Sequence, residues 1–305
     1  MRRLHSSPAA NAVSDRRVIR SRLRLALQAP DDRAQIVTES LRKRIITAVI
    51  LAVLFLGVLL WLPPKATVVV VTALVLAGAW EWSAFLRPSG RGARIAYVTV
   101  VALLLFGAWY ASSDRDVRHL IVIVAVAWWL VALGWIIFAP RSVNPFSAGL
   151  AGLLALVPAW LALVRLRDLP HGAEWVLFTL FLVWSADIGA YFAGHRFGRT
   201  RLAPDVSPGK TWEGVIGGFA LSAVVAVAGS IWFGLPLYSF VPLCLAAVAF
   251  SIVGDLTESL LKRFAGVKDS GTLFPGHGGV MDRIDSVTGA APVLFFGLIM
   301  LGVVA

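Results

Sequence analysis

Apolar runs of about eighteen residues or more recur along the chain, each long enough to cross a hydrocarbon core of about 30 Å as a helix, and short polar stretches separate them. They predict nine helical cores, at 45–62, 67–86, 95–112, 119–139, 147–164, 173–194, 214–234, 238–261 and 287–304. The runs are continuous in Leu, Val, Ala and Trp and lack the strict alternation that a transmembrane barrel needs. The expected fold class is therefore all-α, a polytopic integral membrane protein with about nine transmembrane helices. A hydrophobic content of 58% in 305 residues, against 15% charged, agrees with that reading.

Residues 1–43 break the pattern. This Arg-rich segment contains SDRRVIRSRLRLALQAPDDR, and no apolar core follows Arg2 and Arg3, so a cleavable signal peptide is not expected. It reads as a basic cytoplasmic N-terminal tail at the membrane surface, ahead of a transmembrane domain over 44–305. The formal net charge is +11, yet no aromatic-rich basic module accompanies it, so nucleic acid is not an expected partner.

The charges also fix an expected orientation. With the N-terminus in the cytoplasm, 23 Lys and Arg residues fall on that side, and Lys65, Arg115, Arg118, Arg165 and Arg167 on the other. The C-terminus then lies opposite the cytoplasm. Cys244 is the single cysteine and sits in an apolar run, which excludes an intramolecular disulfide and a cysteine-based metal site.

Polar groups inside such a chain are costly and mark places to look for chemistry. In WSADIGAYFAGHRFG, Asp187 falls within an apolar helix rich in small residues; a hydrogen-bonded Asp between close-packed helices explains the stretch as well as a functional one does. In SPGKTWEG, Ser207, Lys210 and Thr211 precede a helix whose first amides can face an anion. A phosphate-binding P-loop is not expected there, because Pro204 stands where that motif needs glycine and no strand is predicted before the loop. Simple capping by Ser or Thr, with Glu213 in the first turn, accounts for nearly as much.

The strongest constellation spans the last two helices. In GDLTESLLKR, Asp255, Glu258 or Ser259, and Lys262 recur every three to four residues and share one helical face, and in DRIDS, Asp282 and Asp285 do the same at the mouth of the ninth span. Acidic oxygen ligands from Asp255, Asp282 and Asp285 suit a hard cation such as Mg²⁺, whereas zinc is disfavoured because His277 has no partner at ligand spacing. Lys262, Arg263, Lys268 and Arg283 add the cations expected of a metal–polyphosphate centre. A salt-bridged loop obeying the positive-inside rule is the plainer alternative. Gly276, Gly278 and Gly279 flank His277 and allow backbone amides to approach a phosphate, with His277 positioned to contact it.

SLLKRFAGVKDSGTLFPGHGGVMDRID, Ser259 to Asp285, resembles the signature of the phosphatidate cytidylyltransferases, or CDP-diacylglycerol synthases, with every position expected to be fixed present. SADIGAYFAGHRFG and SPGKTWEG resemble further family blocks in the same order, so the likeness covers about residues 180–290. Gly209 stands where the family leads one to expect a second lysine, and the tail lies outside the likeness. The resemblance implies transfer of CMP from CTP to phosphatidic acid, giving CDP-diacylglycerol and pyrophosphate, with Mg²⁺ as cofactor, in the bacterial inner membrane.

Carried onto this sequence, it makes 44–305 a catalytic domain. Asp255, Asp282 and Asp285 become the metal and phosphate centre, with Lys262 catalytic beside them. Ser259 and Arg263 become phosphate contacts, and Lys268, Asp269 and His277 signature positions of looser role, with Ser207, Lys210 and Asp187 on the substrate side. Expected partners are CTP, phosphatidic acid and the bilayer; a homodimer is left open. A CTP-dependent polyprenol or phytol kinase and an ion-coupled transporter are the competing functions.

Overall fold

The computed structural model describes residues 53–87, 90–271 and 278–304. The chain is helical from the first described residue to Trp61 and continues as α1 (Pro64–Trp82), a 3-10 turn (Ser83–Leu86), α2 (Arg91–Ala111), α3 (Arg115–Phe138), α4 (Pro145–Asp168) and α5 (Gly172–Phe197). A short hairpin of β1 (Arg201–Ala203) and β2 (Ser207–Thr211) follows, then α6 (Trp212–Phe233), α7 (Leu237–Ala265) and α8 (Met281–Met300). Among the described residues eight helices are long and apolar enough to cross a membrane, and the protein is an all-α polytopic membrane protein. The N-terminal residues of the first predicted core, 45–52, and the basic tail lie outside the described residues.

The helices begin and end where side chains satisfy their free backbone groups. Asp114 caps α3 by accepting the N–H groups of Asp116 and Val117, and Asn144 and Ser147 form a reciprocal capping box at α4, whose first residue is Pro145. α7 stops at Gly266, which has φ 74° and lets the Gly266 and Val267 amides return to the carbonyls of Arg263 and Lys262.

From Phe55 onward the described residues form one compact unit. Its centre is α4 and α8, whose most apolar windows are 72% and 78% buried, against 11% for the peripheral α2. Trp82, Trp129, Phe85, Phe240 and Phe295 fill the interior with nearly all of their surface covered. Such packing must supply the association energy, since lipid tails are as apolar as the side chains.

Small residues set the closest approaches. A β-carbon at Gly254 on α7 would lie 2.5 Å from the carbonyl oxygen of Asp285 on α8, and one at Gly289 would collide with the Phe250 carbonyl. α5 and α6 meet in the same way, with no room for a side chain at Gly189 against Gly217. Backbone contact of this kind presses the polar face of α7 against the start of α8. The apolar pattern predicts the ninth core at 287–304, but the helix starts at Met281, so Asp282 and Asp285 both lie within its first turns.

The hairpin corrects an expectation. No strand was predicted near SPGKT, yet Ser207–Thr211 is itself a strand, pairing Arg201 with Thr211 and Ala203 with Ser207. Two strands this short carry too little hydrophobic alternation to register in a sequence dominated by helices.

Candidate active site

α7 is the longest helix among the described residues, at 29 residues, and its last turns are polar on one face. Asp255, Glu258, Ser259 and Lys262 stand there, as the spacing predicts, turned toward α8 and the hairpin rather than toward lipid. Lys210 reaches from β2 to Asp255, with Nζ 2.5 Å from Oδ2, and Ser259 Oγ lies 3.4 Å from the other Asp255 oxygen. The hairpin therefore delivers a lysine that a bare loop would not hold in place. Thr211 ends β2 and caps α6 by accepting the Gly214 amide, and Glu213 in the first turn of α6 accepts the Thr200 amide, which ties the hairpin to that helix.

A second ion-pair cluster adjoins the first. Lys262 Nζ lies 2.8 Å from Asp282 Oδ1 and 3.1 Å from Glu258 Oε2. Asp282 also accepts the amides of Gly279 at 2.9 Å and Ser270 at 3.1 Å, so its carboxylate ties the polypeptide preceding α8 to its N-terminus. Asp285 is buried one turn on, accepts the Ser286 amide at 2.7 Å, and neighbours the carboxyl of Glu258. Glu258 is wholly buried and its carboxyl is within hydrogen-bonding reach of that of Asp285.

Asp187, on α5, faces the Lys210–Asp255 pair across a cavity of about 450 Å³. Asp187, Tyr191, His195, Lys210, Thr211, Asp255 and Ser286 line it, with Gly194, Gly209, Gly214 and Gly218 making the room. Its walls are thus apolar with a few convergent polar groups, the usual form of a small-molecule site. Tyr191 and His195 stack with ring planes 7° apart on one wall.

Other expected residues fall elsewhere. Arg263 Nε donates to the Val206 carbonyl at 3.3 Å and so braces the hairpin. Ser207 begins β2 outside the cavity lining, Lys268 and Asp269 are exposed, and His277 lies outside the described residues. Glu81 on α1 and the full role of Glu258 were not anticipated. Glu81 accepts the Met281 amide at 2.8 Å and the Ser270 hydroxyl at 3.1 Å. The signal was available: a carboxylate in an apolar span, the same reasoning that singled out Asp187, applied to AWEW.

Five carboxyls, those of Asp187, Asp255, Glu258, Asp282 and Asp285, thus gather around the paired lysines 210 and 262. Oxygen-only donors of this kind are chemically suited to a hard divalent cation. Among the described residues, however, no group of three or more His, Cys, Asp or Glu side chains is arranged to hold one. Both Asp282 oxygens are engaged, by Lys262 and by the Ser270 and Gly279 amides.

The profile of the cytidylyltransferase family matches residues 42–301. A phosphatidate cytidylyltransferase of Pseudomonas aeruginosa is 41% identical over 261 residues, covering 83% of this chain and 95% of the relative. One from Haemophilus influenzae is 38% identical over 277 residues, covering 83% and 96%. The Bacillus subtilis enzyme of that name aligns over 162 residues at 36% identity, half of this chain. With a family match running from before the first described helix to the end of α8, and relatives covered almost end to end, the chain belongs to the cytidylyltransferase family.

Proposed function

We propose that the protein transfers CMP from CTP to phosphatidic acid, releasing pyrophosphate and giving CDP-diacylglycerol. The observation that carries this reading is the Lys210–Asp255 ion pair inside a cavity between the hairpin, α5 and α7, in a chain whose relatives bear the name phosphatidate cytidylyltransferase. An oxygen of the lipid phosphate attacks the α-phosphorus of CTP. The new P–O bond forms as the bond from that phosphorus to the α,β-bridging oxygen breaks, and pyrophosphate leaves with the electron pair. The attacking phosphate is already ionised near neutral pH, so the protein's tasks are to align the reactants and to offset charge.

Lys210 is the cation placed to meet phosphate oxygens within the cavity, and Lys262 fixes the carboxylates beside it. Asp255 and Asp285 would hold Mg²⁺ together with water and phosphate oxygens, and Asp282 would join them by exchanging its contact with Lys262. When bound, the ion supplies a positive charge against developing charge on the transferring phosphoryl group. Tyr191 lines the cavity and is 67% exposed on the outer face of α5, which gives a diacyl lipid a lateral route in from the bilayer. The Lys and Arg distribution favours a cytoplasmic site in a bacterial inner membrane, where CTP is available.

Purified protein is incubated with Mg²⁺, phosphatidic acid and CTP labelled at the α-phosphate. The proposal predicts label in the lipid product. A CTP-dependent kinase would move only γ-label, and an ion-coupled transporter neither; either result would overturn the assignment.

A further inference from the structure

We infer that Glu81 is a positioning residue for the catalytic face, acting through the two ends of the segment that joins α7 to α8; this rests on the function proposed above. Glu81 lies near the end of α1, far from that segment in sequence, and is only 5% exposed. A carboxylate so enclosed in a membrane helix must be held by donors. Its Oε2 receives two from opposite ends of the segment, the Ser270 hydroxyl at 3.1 Å and the Met281 amide at 2.8 Å.

The contacts leave little slack. A β-carbon added at Gly279 would collide with Glu81 Oε2 and with Ser270 Oγ, and one at Gly271 would collide with Glu81 Oε1. These glycines let the backbone close around the carboxylate. Ser270 then passes the constraint on. Its Oγ lies 3.3 Å from the Asp282 amide, its own amide donates to the Asp282 carboxylate at 3.1 Å, and that carboxylate holds Lys262 at 2.8 Å. Glu81 thus anchors the register between the end of α7 and the start of α8. Without it, Asp282 and Lys262 lose their common reference, although Glu81 touches neither.

The test compares Glu81→Ala, Glu81→Gln and Ser270→Ala in the full-length protein, by label transfer from CTP to phosphatidic acid and by amide hydrogen exchange. Glu81→Ala is expected to lower kcat about 100-fold while KM for CTP changes less than about threefold, because alignment and not ground-state binding is lost. Glu81→Gln keeps an oxygen where Oε2 stands and should retain kcat within about threefold of wild type. Ser270→Ala should lose about tenfold, and the double variant Glu81→Ala, Ser270→Ala no more than Glu81→Ala alone, since both act through one strut.

In the exchange measurement, Glu81→Ala and Ser270→Ala should each speed the amides of Ser270, Gly279 and Met281 by at least about tenfold, with those of Leu256–Leu261 unchanged. Unaltered exchange at those amides in a folded variant overturns the inference, as does a Glu81→Gln protein as inactive as Glu81→Ala. If Glu81→Ala does not fold, Ser270→Ala decides, and wild-type kcat and exchange there reject the strut. Should wild-type protein transfer no label, the proposed function fails, and the exchange arms still judge the positioning role.

Discussion

Lys262 sits between the fully buried Glu258, 3.1 Å away, and Asp282, 2.8 Å away, and its own side chain is 15% exposed. A cation that compensates two enclosed carboxylates cannot be removed cheaply, because what remains is uncompensated charge; breaking such a pair typically costs about 3–5 kcal/mol. Lys262→Ala should therefore lower the thermal midpoint in detergent and reduce turnover by about 100-fold. Lys262→Arg should recover part of the stability but less of the turnover, since a planar fork does not reproduce a point charge shared by two oxygens. Thermal unfolding and label transfer measured on the same preparations check both statements; an alanine variant with wild-type kinetics at subsaturating CTP would show that Lys262 only anchors the interface. Arg263 illustrates the value of geometry over adjacency. About 100° further around the helix, it braces the Val206 carbonyl, so Arg263→Ala should affect the hairpin first and turnover only through Lys210.

At the scale of helices and strands, α7 meets α8 through glycine, and Gly254→Ala tests that contact. The added β-carbon would lie 2.5 Å from the Asp285 carbonyl oxygen, and overpacking of this kind costs about 1–3 kcal/mol. Gly254→Ala should lower both stability and turnover, whereas Gly134→Ala, with nothing within 4 Å of the new atom, should leave both unchanged or slightly raise stability. Differential scanning of the two detergent-purified variants separates these outcomes. The spans themselves were legible in the sequence because a long apolar run can satisfy its backbone in a bilayer almost only as a helix. The polar face of α7 was legible too, since Asp255, Glu258 and Lys262 repeat at helical spacing. The hairpin was not, because three- and five-residue strands carry no usable period. Glu81 is legible as a carboxylate in an apolar span, but its partners Ser270 and Met281 are not, because tertiary packing alone brings them to it. The sequence places the start of α8 six residues late because Met281–Ser286 is polar enough to read as loop, although Met281, Asp285 and Ser286 are buried in the protein.

For the whole molecule, the basic tail and the membrane body are expected to act separately. The residues up to Arg44 carry eleven of the 28 basic side chains, and without them the loops still divide 12 against 5 in favour of the proposed orientation. Deleting residues 1–40 should leave topology and detergent activity intact while weakening preference for anionic bilayers by up to about 1 kcal/mol per lost basic contact. Vesicle binding and label transfer by the truncated protein check this; normal insertion without CMP transfer would show that the tail takes part in catalysis. The central claim, however, concerns the carboxylate–lysine face that α7, α8 and the hairpin assemble. It is tested most directly by the rate at which α-phosphate label passes from CTP into phosphatidic acid with folded Asp255→Asn protein across a magnesium titration. Asparagine keeps the shape but removes the charge that pairs with Lys210, so a loss of about 100-fold or more at every magnesium concentration is predicted. A rate within a few-fold of wild type would place the chemistry elsewhere and contradict the account.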